Sequence, residues 1–304
     1  MLAEGPKQHT SISIIGLPES GKTTFLAALW ELVTELRIEK ELALDSIGAN
    51  DHSYLRRIVS VWRKATEQAR TKLTGLSAVR MNLKDRDGNV VEVTMPDAPG
   101  EDFRAMWESR ELGRLLGDSL AGGNIILFVN GNKVKAPAWV TERAVQRRAT
   151  GRQATQPLTR EWHPSLAPTQ VQLVDLLQLI SHAPVGRSDR RLVVMISAWD
   201  KVEGERLTPD AFLTAKMPLL AQYIKAGRDG WTSRVYGVSA QGGEYDGNTD
   251  NAEPAEGGTP KKGPKKGRDA ERLREVDIPA NRIRLVFGER ESTDLTEPLK
   301  WLMH

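Results

Sequence analysis

The sequence predicts an α/β protein, a doubly wound, mostly parallel sheet with helices on both faces. Three observations carry this. Short apolar, often β-branched runs recur at residues 11–15, 125–129, 192–196 and 234–238, and read as buried strands. Between them stand stretches with apolar residues at three- and four-residue spacing, the pattern of a helix packed on a sheet. Each run leads into a loop containing Gly, Ser, Asp or Asn, and open α/β sheets bind ligands at the carboxyl ends of their strands.

The first strand leads into Gly16-Leu17-Pro18-Glu19-Ser20-Gly21-Lys22-Thr23, which fits G-x-x-x-x-G-K-[ST] at every position. After it, Phe25, Leu26, Leu29, Leu32, Val33 and Leu36 mark one face of a helix. Strand, glycine loop, helix is the context this motif requires. Gly16 and Gly21 let backbone N–H groups approach phosphate oxygens, and the positive helix end favours negative charge. Lys22 is placed for the β- and γ-phosphates, and the Thr23 hydroxyl for Mg2+. The motif therefore implies a nucleoside triphosphate. It does not say which base, or whether a bond is cut.

At 304 residues the chain is one large domain or two small ones, with room for a sizeable core. Hydrophobic content of 39% and charged content of 27% are ordinary for a soluble globular protein. A formal charge of +3 gives no argument for nucleic acid. With no cysteine there is no disulfide framework and no thiolate metal site. No apolar run has the length of a signal-peptide core or a membrane span. A cytoplasmic protein is expected, with neither membrane nor nucleic acid as partner.

In chain order, residues 38–50 show no single pattern. A second helix begins at 51, with Leu55, Ile58, Val59 and Trp62 on one face and Asp51 or Ser53 as its cap. Residues 78–83 and 90–95 alternate around Asp85-Arg86-Asp87-Gly88, a hairpin and the sheet's one antiparallel pair. It ends at Pro96-Asp97-Ala98-Pro99-Gly100-Glu101. There the Asp97 carboxylate suits Mg2+ held through water, and the Gly100 N–H suits a γ-phosphate. Standing alone, the same residues would pass for a plain turn.

One helix is expected over 101–120. Residues 132–168 form a basic insertion, read as a solvated excursion with a short helix near 140–148. Helices follow over 171–180 and 209–225. Residues 247–276 read as a mostly disordered linker rich in Gly, Pro, Glu and Lys. A last strand spans 281–287, and Trp301 and Leu302 pack down a final helix.

Four loops stand in order: GLPESGKT, DAPG, SAWD and SA. This order resembles a GTPase G domain of the TRAFAC class, a P-loop NTPase. Within it, ISIIGLPESGKTTFLAALWE and DLTEPLKWLM are similar to the double-GTPase families of bacterial conflict and defence systems, nearest the first of them. The resemblance implies a single GTPase domain over 10–304, with GTP and GDP as ligands and Mg2+ as cofactor.

By position, it implies that Glu19, Ser20, Gly21, Lys22, Thr23 and Thr24 line the phosphates with Gly16, and that Gly100 senses the γ-phosphate. Thr23 and Asp97 would serve Mg2+, joined by a switch threonine, Thr71, with Thr74 next and Thr66 assigned to the second helix. Asp200 would accept from guanine N1 and N2, and the Ser239 and Ala240 region would offer a backbone N–H to O6. Lys22, Thr71 and Glu101 would be catalytic.

The sequence departs from the class at three positions. Ser197 and Ala198 stand where the class carries Asn or Thr and then Lys, which leaves Trp199 as the candidate to cover the purine. Glu101 stands where many relatives carry Gln or His to orient water. Arg70 and Arg104 are candidates to neutralise the transition state, against a plain surface role.

The expected protein is thus a GTP-hydrolysing switch, slow without help, whose loops 66–76 and 97–108 report to a protein partner. Two other readings compete. One is a nucleotide-gated scaffold with little hydrolysis. The other is an ATP-using P-loop enzyme such as a small-molecule kinase, which would need a lid and an acceptor site.

Overall fold

In the computed structural model, residues 9–48, 51–68, 78–96, 106–109, 111, 114–121, 123–137, 166–182, 185–186, 189–227, 229–247 and 266–304 are described. The strands are β1 (His9–Gly16), β2 (Ala43–Ile47), β3 (Ala78–Lys84), β4 (Val90–Pro96), β5 (Asn124–Asn130), β6 (Arg191–Ser197), β7 (Thr232–Ser239), β8 (Arg284–Phe287) and β9 (Arg290–Ser292). The helices are α1 (Lys22–Thr34), α2 (His52–Arg63), α3 (Arg114–Leu120), α4 (Thr169–Ser181), α5 (Trp199–Val202), α6 (Pro209–Lys216), α7 (Pro218–Ala226), α8 (Ala270–Arg274) and α9 (Glu297–Met303). The strands form one sheet in the order β2-β3-β4-β1-β5-β6-β7-β8-β9.

The five central strands, β4, β1, β5, β6 and β7, are parallel. Their side chains alternate between two cores, as a period of two demands. Ile12, Ile14, Phe128, Met195 and Tyr236 face one core with α1, α2 and α9, through residues such as Phe25, Leu55, Trp62 and Leu302. Ile15, Leu127, Val129, Val194 and Ile196 face the other with α4, α6 and α7, through Leu177, Phe212 and Leu220. With both faces covered, these strands need to be apolar on every residue, which is why they read as continuous runs.

The antiparallel part is larger than one pair. The β3–β4 hairpin is present, and the Asp85 carboxylate closes its turn by accepting from the Asp87 and Asn89 amides. But β2 adds an antiparallel edge beside β3, and β8 and β9 add two more antiparallel strands beyond β7. The expected last strand over 281–287 begins only at Arg284, because residues 279–282 form a 3-10 turn.

Three helix expectations are also corrected. The helix over 209–225 is two helices, since Pro218 has no N–H to continue the ladder and starts α7 at its first position. The helix over 101–120 is interrupted: residues 106–109 and 114–120 are helical, 111 is not, and the Ser109 hydroxyl accepts the Glu111 N–H. Asp51 stands at the N-cap of α2 but caps nothing; its carboxylate accepts from the Arg80 amide at 2.9 Å and ties the helix to β3.

Trp301 and Leu302 do hold α9 against the sheet. Most of the insertion, residues 138–165, lies outside the described residues. So do residues 248–265 of the tract read as linker, while its end is built: Ala270–Arg274 is helical, with Ala270 and Leu273 buried.

Candidate nucleotide site

The strand register brings the loops together. Gly16 pairs with Phe128, Asn130 with Ser197, and Ser197 with Val238, so β1, β5, β6 and β7 end along one edge of the sheet. The glycine loop stands at the end of β1, between β4 and β5, which lie on its two sides.

Gly21 takes φ +91° at the N-cap of α1, a left-handed conformation that favours glycine, and a Cβ there would sit 2.9 Å from Ser197 Oγ. No side chain caps α1 and its first turn holds no acid, so its amide dipoles keep their positive end for an anion. Lys22 Nζ donates to the carbonyls of Gly16 at 2.7 Å and Leu17 at 3.1 Å, and to Ser20 Oγ at 3.3 Å. The cation is drawn over its own loop instead of out into solvent. Thr23 and Thr24 follow in the first turn of α1, both half-buried.

Glu19 has φ +57°, and its carboxylate is paired with Lys133. Its carbonyl accepts from Asn130 Nδ2 at 2.9 Å. The acid is thereby directed to Lys133, while the backbone is fixed by the residue that ends β5. Neither Asn130 nor Lys133 stands out in the sequence; the position of Asn130 at a strand end was the only signal.

At the other side of the edge, Ser239 Oγ donates to Asp200 Oδ1 at 2.7 Å and accepts from the Gly242 amide at 3.2 Å. The aspartate is thus held by one oxygen. Ser197 Oγ donates to the Ser20 carbonyl at 2.8 Å and joins the two sides directly.

Trp199 does not cover a purine. Ala198 takes φ +55°, which turns Trp199 inward; its indole is buried edge-on against Phe212 and lies where a Cβ on Gly237 would come within 2.4 Å. An indole of this size places a large apolar area in the core.

Thr66 is not on the helix, since α2 ends at Arg63; it forms a parallel bridge with Asp246. Thr71, Thr74, Asp97, Gly100, Glu101, Arg70 and Arg104 lie outside the described residues. Among the described residues no cluster of acids and histidines is set to hold a metal ion, and no helix is long and apolar enough to cross a membrane. Gly16, Glu19, Ser20, Gly21, Lys22, Thr23, Thr24, Asp200, Ser239 and Ala240 are all described and lie along the one edge.

Parallel central strands, helices on both faces and a G-x-x-x-x-G-K-T loop opening a helix at the strand ends define a P-loop nucleotide-binding domain. Residues 13–302 match the model of the Double-GTPase 1 family, and the chain belongs to that family. Among solved structures it is similar to Methanosarcina barkeri Roco2 RocCORdC bound to GDP, at 13% identity and a TM-score of 0.32. That match covers 78% of this chain and 45% of the Roco2 chain, so the chain spans under half of that relative's length. It is also similar to the Arl6 BBS3 small GTPase of Trypanosoma brucei with a bound GppNp analogue, at 11% identity and a TM-score of 0.33, over 75% of this chain and 87% of that one. No curated protein matches the chain.

Proposed function

We propose that the protein is a Mg2+-dependent switch that binds and hydrolyses GTP. Its 66–76 and 97–108 loops signal the γ-phosphate to a protein partner, as part of a bacterial conflict or defence system. The observation that carries this reading is the joint at Ser197: one hydrogen bond links the Lys22 loop to the strand end that presents Asp200. A phosphate cradle and a fixed carboxylate acceptor on one sheet edge suit a guanine nucleotide, whose N1–H and N2–H both donate. Family membership supports the same base.

Lys22 and the first-turn amides of α1 would hold the phosphates, and Asp200 would accept from the base. Mg2+ fits the donors available, the Thr23 hydroxyl and the Asp97 carboxylate, both hard oxygen ligands. When bound it would supply charge neutralisation between the phosphates. Glu101, if ionised, can accept from a water but cannot donate to the transferring group, and its charge opposes the developing negative charge. Turnover of the isolated protein is therefore slow, on the order of 10⁻⁴ to 10⁻³ s⁻¹, the unassisted range for this chemistry. A partner would raise it by supplying an arginine or by ordering residues 101–108.

Two measurements test this. Chromatography of nucleotide bound to the purified protein is expected to return guanine nucleotides. Single-turnover assays are expected to give the slow rate; a rate near 1 s⁻¹ without a partner would show that Arg70 or Arg104 works in cis.

A further inference from the structure

We propose that the C-terminal end of α2 is a bracket for the base-side loop, residues 239–246, and that Trp62 is the residue that positions the loop's base-facing amides. The proposal rests on the guanine reading of this loop. Trp62 has no exposed surface, and its indole N–H donates to the Ala240 carbonyl at 2.9 Å, across 178 residues of sequence.

In a planar trans peptide the carbonyl and the N–H point in opposite directions. With the Ala240 carbonyl bonded to the buried Trp62 indole, the N–H of Gln241 must point the opposite way, out of the core. The side of the loop nearer β7 is fixed separately, by Ser239 on Asp200.

The bracket has further attachments. Arg282, itself buried, lies over the Trp62 ring at 5.2 Å and donates to the carbonyls of Trp62 at 3.3 Å and Arg63 at 3.2 Å. It meets the last carbonyls of α2 with a cation, the favourable charge for a helix C-terminus. Gly242 takes φ +78° with the Arg282 carbonyl 2.5 Å from where a Cβ would stand, so the loop rests on this backbone. At the far end, the Asp246 N–H donates to the Ala65 carbonyl at 2.9 Å and the Glu67 N–H to the Asp246 carbonyl at 2.8 Å. The loop is thus fastened at both ends to residues 62–67. Trp62 touches no base; it acts through the Ala240–Gln241 peptide.

The test is Trp62→Phe, which keeps an aromatic ring under Arg282 and removes the donor. Affinities for fluorescent GDP and ADP are measured for wild type and variant, with a melting curve for each. GDP is expected to weaken about fivefold to tenfold, the scale of one lost hydrogen bond, while ADP stays unchanged. Equal losses for both nucleotides, or no loss in a folded variant, overturn the proposal.

Amide exchange at 240–246 is expected to speed up in the variant while exchange in the Lys22 loop does not, whichever base the site prefers; unchanged exchange also overturns it. A wild type that binds ADP as tightly as GDP would instead remove the guanine reading and leave the exchange result to decide the bracket. If Trp62→Phe does not fold, Arg282→Lys keeps the donor but loses the planar stack and the fork. It is expected to show a smaller loss in the same direction, and an unchanged GDP-to-ADP ratio would count against the bracket.

Discussion

The two sides of the nucleotide edge are built in different ways. The phosphate side is local. Gly16, Ser20, Gly21 and Lys22 lie within seven positions, and Lys22 finds its acceptors two, five and six residues away. The base side is assembled from a distance. Ala240 is pinned by Trp62 across 178 residues, and the Glu244 N–H by Asp269 across 25. Asp246 pairs with Arg274 and accepts from the Gly267 N–H. A local motif can change its ligand only by changing its own residues. A loop held by four separate segments can be altered from any of them, and the base side is where this chain departs from the usual lysine-bearing pattern, at Ala198.

The largest effect is expected at the local end. Lys22→Ala removes a cation that would make charge-assisted hydrogen bonds to two phosphates. At about 1.5–3 kcal/mol for each such bond, triphosphate affinity is expected to fall by at least about 100-fold. Melting temperature should hardly change, since Lys22 is half-buried and its ammonium donates to carbonyls of its own loop. Titration calorimetry with GTP checks it, and wild-type affinity in the variant would show that the phosphates are held elsewhere.

A smaller, more selective effect is expected on the base side. Asp200→Asn turns one of two acceptor oxygens into a donor. GTP is expected to weaken about 10- to 100-fold and xanthosine triphosphate to gain, because xanthine carries a carbonyl acceptor on C2 where guanine carries an amino donor. If the preference between the two does not move, Asp200 leaves the site.

The same contrast explains what the sequence could tell. The glycine loop, the hairpin turn at Asp85 and the central strands were legible because each depends on residues a few positions apart. Strand β2 was not: its five residues are half-exposed or exposed along their length, so an edge that buries little leaves no pattern. Hairpin β8–β9 was missed although Gly288-Glu289, a two-residue Gly-X turn, signals it. The break at Pro218 was also readable from proline alone. Trp62 was placed with Leu55, Ile58 and Val59 on one face of its helix, and that face is buried; nothing near it in sequence could reveal that its N–H serves a loop 178 residues on. Asp200 and Ser239 were found by motif, but their mutual bond belongs to the pairing of β6 with β7.

A region serving neither side sharpens the comparison. Asp85, buried at the hairpin turn, pairs with Lys300 on α9 and accepts from Asn89 Nδ2 at 3.0 Å. Burial pushes its carboxyl up, but Lys300 and Asn89 outweigh this and hold it at about 2. Because the folded value lies below the unfolded one, its stabilisation is present above about pH 4 and is lost as pH falls through 4 toward 2. Asp85→Asn is expected to cost about 2 kcal/mol at neutral pH and to flatten that part of the pH–stability curve. GDP affinity should be unchanged, since this turn lies at the end of the sheet away from Gly16. A variant that loses affinity along with stability would mean that the hairpin reports to the site.

The smallest effect is expected from replacing residues 248–265 with a four-residue Gly-Ser bridge. The tract's composition offers little to bury, being Gly, Pro, Lys, Glu and other polar residues with few apolar ones. Its two ends are already joined without it. The Gly267 N–H donates to the Asp246 carboxylate at 2.8 Å, and a Cβ on Gly267 would lie 2.3 Å from the Tyr245 carbonyl carbon. A bridge therefore need span only a short gap, and the bracket on residues 240–246 keeps every described attachment. What changes is the unfolded chain, which has a shorter loop to close. Each halving of loop length is worth about 0.6 kcal/mol, so two halvings stabilise the fold by about 1 kcal/mol. For a domain of this size that raises the melting temperature by roughly 2–4 °C. GDP and ADP affinities should both stay at their wild-type values. A fall in melting temperature would mean that the tract packs against the fold, and a fall in GDP affinity alone would make it a further arm of the bracket.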